Sequence, residues 1–176
     1  VSEDVLSAFI QSDLEAEIGN IPVTGSLGVR YIRTEQSSQG TAFGTVDGVV
    51  VSSPTDVEHS FTHVLPSLNL IFDVAENQSV RFGIAETISR PRLDEMNASI
   101  GATYNQQPDN NGNYWAVNGG NPLLEPKEAL GVDLSYENYF SSEGYFAVAY
   151  FWKDLNEWIF DGTYEVDLTG VEDPNT

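Results

Sequence analysis

Cysteine is absent from the 176 residues, and positive charge is scarce: seven Lys and Arg stand against 27 Asp and Glu, a formal net charge of −20. Without cysteine there is no disulfide framework, thiolate metal site or cysteine nucleophile. So acidic a chain repels phosphate backbones, which excludes nucleic acid as a partner. Long hydrophobic runs are missing as well. The longest, Tyr145 to Trp152, is far short of the roughly 20 residues a spanning helix needs. The opening residues Val1-Ser2-Glu3-Asp4 have neither the basic start nor the apolar stretch of a signal peptide, and read as mature sequence or a cut from a longer chain. What is present is 40% hydrophobic and 11% aromatic residues, too rich for a disordered chain and enough for one domain.

Helical spacing is hard to find, whereas alternation of period two runs through most of the chain, so the expected class is all-β. In the first segment Leu6, Ala8, Ile10, Leu14 and Ala16 share one face; Ser7, Gln11, Asp13 and Glu15 share the other, with Phe9 among them. The pattern recurs with Leu27, Val29 and Tyr31, then with Val64, Leu68, Leu70 and Phe72. It returns with Val80, Phe82, Ile84 and Ile88, where Glu86 breaks the apolar row. The last two apolar sets are Val132, Leu134 and Tyr136, and Phe146, Val148, Tyr150 and Trp152. Six strands are predicted near residues 5–17, 23–34, 63–74, 79–90, 132–140 and 145–153, with a seventh starting near Thr163. They are long beside the 5 or 6 residues usual in globular sheets.

Connection lengths alternate. Tight turns are expected around Gly19-Asn20, Glu76-Asn77 and Ser141 to Gly144, and long polar connections at 35–60, 91–131 and 161–176. In an antiparallel up-and-down meander this order puts every tight turn on one rim and every long loop on the other. Transmembrane β-barrels have this asymmetry, together with strands apolar on the lipid side and polar inside. A soluble two-layer β-sandwich, whose apolar rows meet in a core, predicts much the same rows and stays open on the pattern alone.

Six short stretches in register resemble the barrel of the TonB-dependent receptors. They are Gly28-Val29-Arg30-Tyr31; Leu65-Pro66-Ser67-Leu68-Asn69-Leu70; and Val80-Arg81-Phe82-Gly83 running to Ser89-Arg90-Pro91. Then come Gly120-Asn121-Pro122-Leu123-Leu124-Glu125-Pro126, Asp133-Leu134-Ser135-Tyr136-Glu137, and Phe151-Trp152-Lys153-Asp154. Glu86 and Glu125 depart from the family's usual residues without disturbing strand phase. The resemblance implies a fragment of a barrel of about 22 strands around a plug. It further implies an outer-membrane active transporter of a Gram-negative bacterium, for oligosaccharide or another scarce nutrient such as an iron chelate. Implied partners are outer-membrane lipid, the plug of the same full-length chain, TonB through a missing N-terminal region, and a small-molecule or oligosaccharide ligand.

No catalytic constellation, cofactor site or metal site is expected, and the chain does not read as an enzyme. His59 and His63 lack the glutamate of a helical zinc motif and read as polar positions at a strand's beginning. Asp109-Asn110-Asn111-Gly112-Asn113 starts like a calcium loop but has Tyr114 where glycine is needed, and reads as a solvated turn. The candidate ligand contacts are Tyr104, Tyr114, Trp115 and Asn118, which mix flat apolar faces with amides; sugars stack their C–H faces on rings and exchange hydrogen bonds through hydroxyls. The resemblance and the strand phase give Arg30, Asn69, Asp73, Arg81, Asp133 and Glu137 as lumen-facing, with Arg30 and Arg81 expected to pair with lumen carboxylates such as Asp73 or Asp133, or to touch the plug. The alternative function is a secreted soluble β-sandwich that binds carbohydrate through Tyr114 and Trp115.

Overall fold

A two-residue turn sets the register from the start: Gly19 adopts φ of 65°, a conformation that costs a glycine nothing, and folds Ile18 back onto Ile21. In the computed structural model, which describes residues 1–46, 49–105, 107–109, 111–141, 144–156, 158–160 and 162–163, this hairpin opens a six-stranded antiparallel sheet. Its strands, in chain order, are β1 (Ser2–Ile18), β2 (Ile21–Val46), β3 (Val49–Ala75), β4 (Gln78–Ser89), β7 (Lys127–Ser141) and β8 (Gly144–Leu155). A separate two-stranded ribbon, β5 (Ile100–Tyr104) and β6 (Trp115–Gly119), interrupts the connection between β4 and β7.

The registers carry the apolar alternation intact across the sheet. One row reads Leu14, Gly25, Leu70, Phe82, Leu134, Tyr150; the next reads Ser12, Leu27, Leu68, Ile84, Val132, Trp152; a third reads Ala16, Val23, Phe72, Val80, Tyr136, Val148. Every apolar row named from the sequence therefore falls on one face. Among the described residues no second layer covers it, and Ile10, Leu134, Val148 and Tyr150 stand exposed. The opposite face carries rows such as Asp13, Ser26, Asn69, Gly83, Asp133 and Phe151. Gly83 leaves room there for the side chains of Asn69 and Asp133 on either side of it.

Two expected loops are corrected. Residues 35–46 and 49–60 are strand: β2 and β3 run 26 and 27 residues as one ribbon, more than twice the about 9 to 11 that a membrane crossing uses. Beyond the apolar rows both faces of the ribbon carry Ser, Thr, Gln and charged residues. The two-fold sequence signal vanishes while the backbone ladder continues. Within 91–131, β5 and β6 form a hairpin, a turn follows at Asn121 to Leu124, and β7 begins at Lys127 rather than 132. Most of 161–176, including a seventh strand beyond Thr163, lies outside the described residues.

The buried cluster sits on the polar face of the long ribbon. Ile32, Thr34, Gln36 and Ser38 from β2 and Phe61 and His63 from β3 are buried, as are Met96, Ala98 and Pro126 of the β4–β7 connection. That connection lies down on the ribbon because its chain approaches closely: a Cβ on Gly40 would meet the Ser99 nitrogen at 2.5 Å, and the Ala98 N–H donates to Ser38 Oγ at 2.8 Å. The long connection is thus a folded strap packed across the face opposite the apolar one, on the rim away from the turns at Gly19 and Asn77.

Candidate functional site

The strap presents all four ligand candidates on one small hairpin. Tyr104 and Trp115 are register partners at the end of β5–β6, and Asn118 pairs with Gly101 three residues on. The Asn105 N–H donates to the Tyr114 carbonyl at 2.7 Å and extends the ladder past them. Tyr114 and Asn118 are both exposed. The side chains of Tyr104 and Trp115, like Gln106 and Asn110, lie outside the described residues.

At the hairpin tip Asp109 organises its own turn. Its Oδ1 accepts the N–H of Asn113 at 2.8 Å and of Asn111 at 2.9 Å, and Asn113 Nδ2 reaches Oδ2 at 3.4 Å. These donors, that of Asn113 first, hold the carboxyl below its ordinary pKa of 3.8. The calcium-like sequence is therefore an Asx turn closed by its own backbone, in which the Gly112 N–H bonds the Asp109 carbonyl at 3.1 Å. Among the described residues there is no group of three His, Asp or Glu placed to hold a metal ion.

The root of the hairpin is clamped. Asn121 Oδ1 accepts the Leu123 N–H, closing the turn, and Gln36 Nε2 donates to the carbonyls of both Pro122 (2.9 Å) and Leu124 (3.1 Å). Gly120 is needed there, since a Cβ would collide with the Glu95 carbonyl oxygen. Glu125 and Glu128 then meet His59 and His63, while Arg90, where the strap leaves β4, reaches Glu3 of β1 at 3.6 Å. Sequence reasoning missed Gln36, Glu125 and Glu128. Their partners are 65 or more positions away, and nothing in local spacing marks them.

The six predicted lumen residues all lie on the polar face, since Arg30, Asn69, Asp73, Arg81, Asp133 and Glu137 share one phase of the registers. The two arginines of this face have different kinds of partner. Arg81 bonds Glu137, with Nε to Oε1 at 3.2 Å, instead of Asp73 or Asp133, and Arg30 lies over the Phe9 ring at 5.7 Å. Residue 81 faces Ser135 directly, so Asp133 and Glu137 are its two diagonal neighbours, and the longer Glu side chain makes the contact.

Set against known proteins, residues 1–172 match the family model described as TonB dependent receptor-like, beta-barrel. The chain belongs to the TonB-dependent receptor family. Its fold is similar to that of the siderophore receptor PirA from Acinetobacter baumannii, at 15% identity and a TM-score of 0.52, over 94% of this chain and 29% of that one. The present chain therefore spans less than a third of the length of that receptor. Comparison with the curated proteins finds no match by sequence. For a TonB-dependent receptor barrel segment, the uncovered apolar face needs no second sheet. The sandwich is set aside: β5–β6 and the strap that carries it pack on the ribbon's polar face, where Gly40 and Ser38 lie, and leave the apolar face bare.

Proposed function

We propose that this chain is part of the wall and outer mouth of an outer-membrane active transporter of a Gram-negative bacterium, and that its substrate is a neutral oligosaccharide. The observation that carries the transporter reading is the apolar band running in register through all six strands on a face that no other described residues cover. Hydrocarbon is the solvent that suits such a band, and backbone groups within it bond laterally from strand to strand. Arg30, Asn69, Asp73, Arg81, Asp133 and Glu137 then face the lumen and the plug of the full-length chain, and TonB acts through regions beyond this one. Substrate passes without covalent change.

Charge supports a neutral substrate. At the rim that bears the strap, Arg33 is engaged by Glu35 at 2.7 Å, Arg90 by Glu3 and Arg92 by Asp94 at 2.6 Å, while Lys127 lies over the Trp158 ring at 4.7 Å. An anionic chelate would have to displace a carboxylate from each of the three arginines. Tyr104, Tyr114, Trp115 and Asn118 supply the ring-and-amide chemistry that sugars take. A second reading, an iron chelate, draws support from the likeness to a siderophore receptor. A deletion strain grown on candidate glycans as sole carbon source, and on iron chelates as sole iron source, separates the two. Loss of growth on a glycan, reproduced by Trp115→Ala in the intact receptor, is expected. Loss confined to iron chelates would overturn the oligosaccharide reading, and a full-length product found wholly in the soluble fraction would overturn transport.

A further inference from the structure

The ladders of β1–β2, β2–β3, β4–β7 and β7–β8 run until one strand of the pair ends. That of β3–β4 stops short: the two strands pair from Ala75–Gln78 to Ser67–Ala85 and no further, although β4 goes on to Ser89 and β3 reaches back to Val49. The break falls at Pro66. Its pairing with Val29 of β2 is unbroken, while the ladder to β4 ends beside it, and proline has no N–H to give. The apolar band stops at the same level, where Glu86 and Asp154 stand on the outward phase on either side of Leu130. Backbone groups released above this level meet water and not hydrocarbon. Between the strands lies a cavity of about 20 Å³, room for one water, lined by Val64, Leu65, Glu86, Thr87, Glu128 and Ala129. Beyond it β4, β7 and β8 hold together to their ends: Thr87 Oγ1 donates to the Ala129 carbonyl at 3.3 Å, and the Asn156 N–H donates to the Glu128 carbonyl at 3.0 Å. Across it, Glu128 Oε1 meets His63 Nε2 at 2.9 Å. The other ring nitrogen, His63 Nδ1, is buried with no hydrogen-bond partner among the described residues, a cost that the closed slit carries.

We propose that the wall parts along this line: β4, β7 and β8 swing as one panel away from β1–β3 above Pro66, and the mouth opens sideways at the level of the outer-leaflet headgroups. The slit presupposes the membrane of the transporter reading and no particular substrate. The strap is the chain between the ends of β4 and β7, while Gln36 and Ser38 of β2 bond it to the other panel. Parting the panels therefore draws the strap off the polar face of the ribbon and widens the passage beneath it. The ladder from Ser67–Ala85 inward stays intact, so no backbone group within hydrocarbon loses its partner. Opening breaks the Glu128–His63 strut but brings water to His63 Nδ1, which draws the closed and open arrangements together in free energy.

The test is double electron–electron resonance on the full-length receptor in lipid vesicles, with no ligand added and two pairs of spin labels on the outward phase. Thr62→Cys with Asp154→Cys spans the slit, and Glu86→Cys with Asp154→Cys lies within one panel. The spanning pair should show a second, longer separation and the other pair a single one. Glu128→Ala, which removes the strut, should raise the longer population about fivefold or more. Pro66→Val, which gives β3 back an N–H, should lower it. One separation for the spanning pair both with and without Glu128→Ala, a longer population that neither variant changes, or equal broadening of the two pairs would overturn the slit. Because no substrate takes part, such a failure leaves the transport reading standing, and a failed growth test on glycans leaves the slit standing.

Discussion

Asp109 is a case in which one side chain holds a turn together and reports on it. Its carboxylate accepts two backbone N–H groups, and those donors lower its pKa from the ordinary 3.8. A group whose folded-state pKa is depressed contributes order that is complete above the ordinary value and is lost as pH falls through the lowered one. The β5–β6 tip should therefore stay closed down to about pH 4 and open below it. Pepsin cleavage within 105–114 of the full-length receptor, scaled to an unstructured reference peptide, should accelerate as pH drops from about 4 toward about 2. Asp109→Ala should give the fast rate at both ends; equal rates in the native chain and the variant at about pH 4 would show that the carboxylate does not hold the turn. Residue identity made this site readable as a turn from Asp109-Asn110-Asn111-Gly112-Asn113. The pairing of Arg81 was not readable, because the register offers two diagonal carboxylates and side-chain reach decides between them.

At the scale of elements, the strands that cross the apolar band were legible because one solvent boundary imposes period two on six segments at once. Where the β2–β3 ribbon leaves that band, the strap lies on one face of it and the other carries polar residues, the periodicity disappears, and 35–60 looks like loop although every described position in it is laddered. The strap was illegible for a different reason. Its fold is fixed by contacts between distant segments, above all Gln36, whose side chain is bonded to a turn 86 residues away. Gln36 is 5% exposed, so Gln36→Leu removes the donor and leaves the Pro122 and Leu124 carbonyls without it. Unpaired acceptors of this kind cost about 1–3 kcal/mol. The expected outcome is a strap that releases while the sheet persists: trypsin cleavage at Arg92 should rise about tenfold or more with no change in the heat needed to unfold the full-length receptor in detergent. A variant that lowers the unfolding temperature without exposing Arg92 would place Gln36 in the wall's stability and not in the strap's.

The molecule as a whole is a sheet with two unlike faces, and that asymmetry makes opposite demands on adjacent residues of one strand. Leu134 lies in the row of Leu14, Gly25, Leu70, Phe82 and Tyr150, at the middle of the apolar band, and is 46% exposed on a face that no layer of the described residues covers. Ser135, the next residue, points to the polar face beside Arg81 and between Asp133 and Glu137. If the apolar face meets hydrocarbon, Leu134→Arg places a cation near the midplane at a cost of about 2–4 kcal/mol. Ser135→Arg sets the same charge among carboxylates in a hydrated interior, where the change should be within about 0.5 kcal/mol. Urea unfolding of the full-length receptor refolded into lipid vesicles measures both, and the leucine variant should be the less stable by at least about 1.5 kcal/mol. Equal losses would mean that the two faces share one environment, and a larger loss at Ser135 would invert the barrel's inside and outside. The strand phase on which every lumen assignment depends would then have to be shifted by one residue, because in a two-fold pattern no smaller correction exchanges the faces.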